Sequence, residues 1–390
     1  MGRRCGGLGL IVGLAACPRP TTESREQVRA TTPVMPPAPR DAPAAPTGPA
    51  SPAVAQHADR GQAPPVRRDG TVFAASQLMG TRFSINVWLH DPAQATSAGT
   101  AIRDAFAEMA RIESIASEWQ PQSAVSLVNA RAGGPPVAVP IELVDILERA
   151  AHVSQRTDGR FDITFYSVGS LWRFDAGARP PDAAAIQARL PRVDWRTVHV
   201  DRSQHTVRLE HADAMIGLGA IAKGYAVDQA SRLLRERGFA NHIVEGGGDT
   251  YVSGRKGTVS WQVGIKEPGT NDTLAALPVR DQAVVTSGTY ERYFEHGGTT
   301  YTHILDPATG WPIPKANSPV SVTLVADNAT DADAYATAVM VMGSAAGLRF
   351  LEQNPRLEGA IISASGELLV STGLRDDLRQ RDNPAGIAAP

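Results

Sequence analysis

Lys223 stands in GLGAIAKGYAVDQA (217–230), a lysine set among glycines and alanines directly after the apolar run AMIGLG. A glycine-rich strand-to-helix turn points backbone N–H groups outward and so makes a place for phosphate, to which a neighbouring lysine adds a point charge. Neither generic phosphate motif is present. Lys223 is followed by Gly224 and Tyr225 instead of completing GxxxxGK[ST], and Gly217 and Gly219 lack the third glycine of GxGxxG.

Three other stretches carry polar groups at useful spacing. In DADAYATAV (331–339), Asp333 and Thr337 are four residues apart and share a helix face. Hard oxygen donors so spaced suit Mg²⁺, which takes few protein ligands and leaves room for phosphate oxygens and water. The same residues also fit an ordinary helix start, with Asp331 or Asp333 at the positive dipole end and Thr337 packed among alanines. In YTHILDPATGWP (301–312), His303 precedes a turn spelled by Asp306-Pro307 and Thr309-Gly310. It can act as a general base or simply belong to the turn. GRFDITF (159–165) sets an aromatic beside an aspartate, and EGGGDT (245–250) puts three glycines after a strand. Such places let a flat ring and a backbone approach each other, and they serve equally as plain turns.

These groups need a scaffold, and the pattern from Thr71 onward supplies one. TRFSINVWL (81–89) alternates Phe83, Ile85, Val87 and Leu89 on one face, as a half-buried strand does. Ile102, Phe106, Met109 and Ile115 predict a helix over about 95–117, and further helices are predicted over 140–156, 221–237, 331–342 and 344–353. TVHVDRSQHTVRLEH (197–211) reads as a hairpin turning at Arg202-Ser203, with His199, His205 and His211 as solvent-facing strand residues. NHIVEGG, WQVGIK, AVVTS, VSVTLVA, GAIIS and ELLVS are the remaining expected strands. No internal repeat is present, and the mixed order of strand and helix predicts an α+β, or mixed α/β, fold.

A chain of 390 residues, 42% hydrophobic and 20% charged, can bury one large core or two smaller ones. Its net charge of -2, without a lysine or arginine run, argues against a nucleic-acid partner. The opening MGRRCGGLGLIVGLAAC pairs two arginines with an apolar run too short to span a bilayer, which predicts a signal peptide over 1–16. Leu14-Ala15-Ala16-Cys17 resembles the lipobox of bacterial lipoproteins. Cys5 falls in the segment to be removed, so Cys17 has no disulfide partner, and acylation gives it a reason to be there. The expected location is the periplasmic side of the bacterial cell envelope, lipid-anchored at Cys17. Residues 17–70, rich in proline and alanine, read as a disordered tether with a reach of roughly 40 Å by random-coil scaling. The folded domain is expected over 71–378, with a tail over 379–390.

Taken in order, LMGT (78–81), GRFDI (159–163), LGAIAKGYAVD (218–228), GGGD (246–249), SGTYERYF (287–294), HILDPATGWP (303–312) and DADAYATAV (331–339) together resemble the ApbE family of FAD:protein FMN transferases. The resemblance implies an ApbE-like fold around a flavin cleft, with FAD as substrate, Mg²⁺ as cofactor and a flavin-acceptor protein, membrane-bound or periplasmic, as partner. It places the FAD pyrophosphate beside Lys223. Met79, Phe161, Asp162 and Leu305 fall at flavin-contacting positions, and Asp333, Thr337 and the Ala220 carbonyl at metal positions. His303 takes the role of base. Trp119, in SEWQPQS, replaces the family's tyrosine as a surface for ring stacking. The family's frequent aspartate is Gly217 here, so one potential hydrogen-bond partner for FAD is missing, and a further carboxylate found in some members is Ala336. Glu245 opens the block that is NLGGD elsewhere, and is a candidate to compensate. The implied reaction is Mg²⁺-dependent transfer of FMN to a Thr or Ser hydroxyl with release of AMP. A FAD-cleaving hydrolase and a non-catalytic FAD-binding lipoprotein are the alternatives.

Overall fold

Phe83, Ile85 and Val87 are fully buried, as their alternation requires, in the strand Thr81–Trp88 of a computed structural model that describes residues 64–380 apart from 176, 271 and 315. The signal peptide, Cys17, most of the tether and nearly all of the tail lie outside the described residues. Eight strands form the central sheet: Thr71–Leu78, Thr81–Trp88, His242–Gly246, Asp249–Ser253, Gln282–Gly288, Ser321–Ala326, Glu358–Ile362 and Leu368–Val370. They lie side by side in that order, every neighbouring pair antiparallel. Helices are inserted between strands of a sheet whose chain order is its spatial order. The expected α+β fold is therefore present in its antiparallel form.

One face of the sheet carries the helices. Ala95–Ala116, Ile141–Arg156, Ala222–Glu236 and Ala329–Met342 share a core with Ile85, Val244, Val285 and Leu324. The opposite face, at Val252, Val284, Val325 and Ala360, is covered by a small sheet built from Trp261–Lys266, Thr273–Val279 and Arg379–Gln380. Strands covered on both faces must be apolar throughout, which is why AVV and SVTLVA do not alternate. Helix Ala329–Met342 is buried almost all round and runs through the middle of the helical layer. A third cluster, with Trp172, Phe294 and Leu305, gathers aromatic rings around the hairpin of strands Tyr293–His296 and Thr299–Thr302.

Candidate active site

Lys223 is the second residue of helix Ala222–Glu236, and its ammonium ends between two carboxylates. Nζ lies 3.0 Å from Asp249 Oδ2 and 3.2 and 3.1 Å from Asp333 Oδ1 and Oδ2. Asp249 opens a central strand and Asp333 belongs to helix Ala329–Met342, so three elements meet at this point. Both carboxylates are buried and the lysine is half-buried. With both acids ionised, the trio holds one negative charge in excess. Burial first, then the charge of Asp333, pushes the Asp249 carboxyl well above its usual range, while Lys223 pulls it back. Burial alone would lower the Lys223 ammonium, but Asp249 and Asp333 outweigh it and the net direction is up. The lysine therefore stays charged, and its three acceptor oxygens match the three N–H groups of an ammonium.

The neighbouring residues of AKGYAVD join the two helices. A Cβ on Gly224 would lie 2.2 Å from the Ala329 carbonyl oxygen, so only glycine permits this approach. The Gly224 amide donates to Asp333 Oδ2 at 3.2 Å. Asp228 accepts the Ala329 and Thr330 amides at 2.9 Å each, capping the Asp333 helix from its neighbour.

Thr337, half-buried one turn beyond Asp333, donates its hydroxyl to the Asp333 carbonyl at 3.3 Å, which leaves its lone pairs free. Ala220 lies in the turn that enters the Lys223 helix. The Asp333 carboxylate, the Thr337 hydroxyl one turn along the same helix and the Ala220 carbonyl in the turn before Lys223 are hard oxygen donors of the kind Mg²⁺ takes. Among the described residues no group of three or more His, Cys, Asp or Glu is placed to hold a metal. Such an ion would therefore complete its shell with water or phosphate oxygens.

His303 follows the hairpin strand Thr299–Thr302, and its Nδ1 lies 3.1 Å from the Arg292 carbonyl. A carbonyl only accepts, so Nδ1 carries the proton and Nε2 is left with a lone pair. Burial, then the charges of Arg292 and Lys223, bring the imidazole down to about 4, against the Arg292 carbonyl bond. It is neutral at neutral pH. Arg292 also reaches the Met79-Gly80 turn, where its Nη2 lies 3.7 Å from the place a Cβ on Gly80 would take. Met79 itself holds a φ of 50° in that turn and is half-buried.

The other expected contact positions lie differently. Phe161 is buried in the main core and Leu305 in the aromatic cluster. Asp162 is turned inward, where Oδ1 accepts the Thr164 amide at 2.8 Å and Oδ2 the Trp195 amide at 3.0 Å. Burial raises its carboxyl, against these bonds, and it pins a loop through both oxygens. Trp119 is 65% exposed and meets Tyr166 edge-on at 6.4 Å, a free aromatic face. The Tyr166 ring occupies the place of a side chain at Gly217, 2.9 Å from its would-be Cβ. Glu245 accepts the Ser84 hydroxyl at 2.9 Å on the neighbouring strand. Glu118, whose Oε1 lies 3.6 Å from the place of a Cβ on Gly219, stands beside the lysine-bearing turn instead.

Asp249, Arg292, Tyr166 and Glu118 escape sequence reasoning as site residues. Asp249 and Arg292 sit inside the GGGD and SGTYERYF blocks, where their charge was the available signal. Glu118 and Tyr166 reach the site only through tertiary packing. A separate cavity of about 590 Å³, lined by Asp145, Arg202, Tyr225 and Asp228 among others, contains none of the expected site residues. Its Arg202 is already paired with Asp145 and Glu148.

Fold and site define the class: an α+β protein in which a lysine and two buried carboxylates, brought from two helices and a strand, form a charged centre. Within that class the chain belongs to the ApbE family, whose model matches residues 79–362. A curated relative from Treponema pallidum, called FAD:protein FMN transferase, is 36% identical over 327 residues, 79% of this chain and 89% of its own length. The crystal structure of the ApbE protein from Thermotoga maritima is 30% identical, with a TM-score of 0.72 over 80% of this chain and all of that one. The flavin transferase ApbE from Vibrio cholerae is 26% identical, with a TM-score of 0.68 over 79% of this chain and 99% of that one.

Proposed function

We propose that the chain is an FAD:protein FMN transferase that moves FMN from FAD to a Ser or Thr hydroxyl of an acceptor protein and releases AMP. The observation that carries this reading is the Lys223–Asp249–Asp333 centre, built by AKGYAVD, GGGD and DADAYATAV within the ApbE fold. In the reaction the acceptor oxygen bonds to the FMN-side phosphorus while the bond from that phosphorus to the bridging oxygen breaks. AMP leaves with the electron pair, and the hydroxyl proton passes to His303 Nε2, the nitrogen left free by the bond to Arg292. Lys223 keeps its charge because two carboxylates surround it, and that charge would stand beside the pyrophosphate. Asp333, Thr337 and the Ala220 carbonyl would hold Mg²⁺, which supplies Lewis-acid neutralisation of pyrophosphate charge when bound.

The test incubates the purified protein with FAD, Mg²⁺ and a candidate acceptor. Flavin fluorescence on the acceptor that survives denaturing electrophoresis, with equimolar AMP, is the expected outcome. Free FMN with no labelled acceptor would instead make the chain a hydrolase. FAD binding without any AMP would make it a storage protein. The lipid anchor at Cys17 belongs to the same reading, because it would place the domain beside membrane and periplasmic redox acceptors. Cys17→Ser is expected to move the protein from the membrane to the soluble fraction; an unlipidated wild type would overturn the anchor.

A further inference from the structure

The chain lacks the acid at 217, yet the turn there does not lack a carboxyl. Tyr166 fills the space above Gly217, so no side chain at that position fits. Glu118 reaches the same turn from the far end of helix Ala95–Ala116, bringing Oε1 to Gly219. Three features bear on what it can bind. Among the described residues no cation forms an ion pair with it, whereas Asp249 and Asp333 share Lys223. Burial drives its carboxyl upward, opposed by the amides of Glu118 and Leu218 and by Arg292 at longer range. Its chain neighbour is Trp119, the exposed ring that meets Tyr166 edge-on. The carboxyl also acts on Tyr166, whose phenol is pushed up to about 12 by burial and then by Glu118.

We infer that Glu118 is a specificity-determining residue of the cleft, accepting a hydrogen bond from an N–H on the edge of the ring that stacks on Trp119. An acid with a desolvated acceptor and no cation partner, next to a free aromatic face, is arranged to meet a flat heterocycle that has a donor on its edge. FAD has two such donors, the imide N–H of the flavin and the amino group of the adenine. The inference rests on the cleft being the FAD site.

The experiment measures Kd for FAD, FMN and ADP on wild type, Glu118→Ala and Glu118→Gln, with thermal unfolding as the control for folding. For Glu118→Ala the Kd for FAD is expected to rise tenfold or more at an unchanged Tm, with the loss in turnover appearing in KM for FAD more than in kcat. Glu118→Gln, which keeps an acceptor oxygen, should recover most of the affinity. A loss shared by FMN but not ADP assigns the contact to the flavin, and the reverse assigns it to the adenine. Wild-type FAD affinity in Glu118→Ala overturns the inference alone. A folded wild type that binds none of the three ligands overturns both the inference and the reading of the cleft.

Discussion

In the proposed reaction His303 takes the hydroxyl proton, and its geometry makes a two-part prediction. His303→Asn should lower turnover by about 10²- to 10⁴-fold while leaving FAD affinity close to wild type, because the residue acts on the acceptor hydroxyl. The acid limb of kcat/KM, which reports the free enzyme, should fall near pH 4, where the imidazole protonates, and not near 6.5. Rate profiles of AMP release from pH 3.5 to 8 check this, and a free-enzyme limb at 6.5 would remove His303 as the base. Asp333→Ala has a different signature. It removes a proposed metal ligand and one of the two partners of Lys223, so AMP release should be lost while FAD still binds. AMP production that ignores both this substitution and EDTA would exclude a metal. At this scale the sequence pointed to Lys223, Asp333 and His303, each inside a distinctive block, but not to Asp249 and Arg292, which lie in such blocks as well. It was silent about Glu118, whose role depends on Tyr166 displacing any side chain from position 217.

Among the elements, the pair of helices that bear Lys223 and Asp333 is the critical joint, and Gly224 sets its spacing. Gly224→Ala must push the Ala329 carbonyl away from a Cβ at 2.2 Å, which backbone can do only by separating the helices. Overpacking of this kind costs about 1–3 kcal/mol or more. Thermal unfolding should show that loss, and FAD binding should weaken with it, because separating the helices displaces Lys223 from the place proposed for the pyrophosphate. An unchanged Tm would mean that the helices are free to adjust. Helix Ala95–Ala116 and the alternating strand Thr81–Trp88 were legible because their burial has one period each. The edge strand Thr71–Leu78 was not, since its buried residues do not alternate. Helices Ala124–Ala130 and Ala183–Arg189 span too few turns to show a period. Thr273–Val279 was hidden by Pro278, which pairs with Gln262 in a strand that sequence patterns demote.

For the molecule as a whole, the antiparallel sheet in chain order is the frame, and one buried histidine at its heart links folding to pH. His242 is fully buried where its strand crosses behind the Lys223 helix. Nδ1 lies 2.7 Å from the Phe239 carbonyl, so it is the donor there, and the Ser231 hydroxyl therefore donates to Nε2 at 2.8 Å. With both nitrogens engaged in the neutral form, burial first brings the imidazole from 6.5 to about 4, against the Phe239 bond. The unfolded chain takes up a proton near 6.5 and the folded one only near 4. Stability from this residue is thus complete above pH 6.5, falls as the pH drops towards 4, and changes no further below it. A displacement of this size corresponds to about 3 kcal/mol. Urea unfolding of the wild type at pH 7 and pH 4.5 should show a loss to which His242 contributes about 2–3 kcal/mol. His242→Leu should be less stable at pH 7, because Ser231 and the Phe239 carbonyl lose their partner, yet its stability should fall less between the two pH values. Equal falls in the two proteins would mean that His242 is protonated in the folded state well above 4, and that acid sensitivity arises elsewhere in the fold.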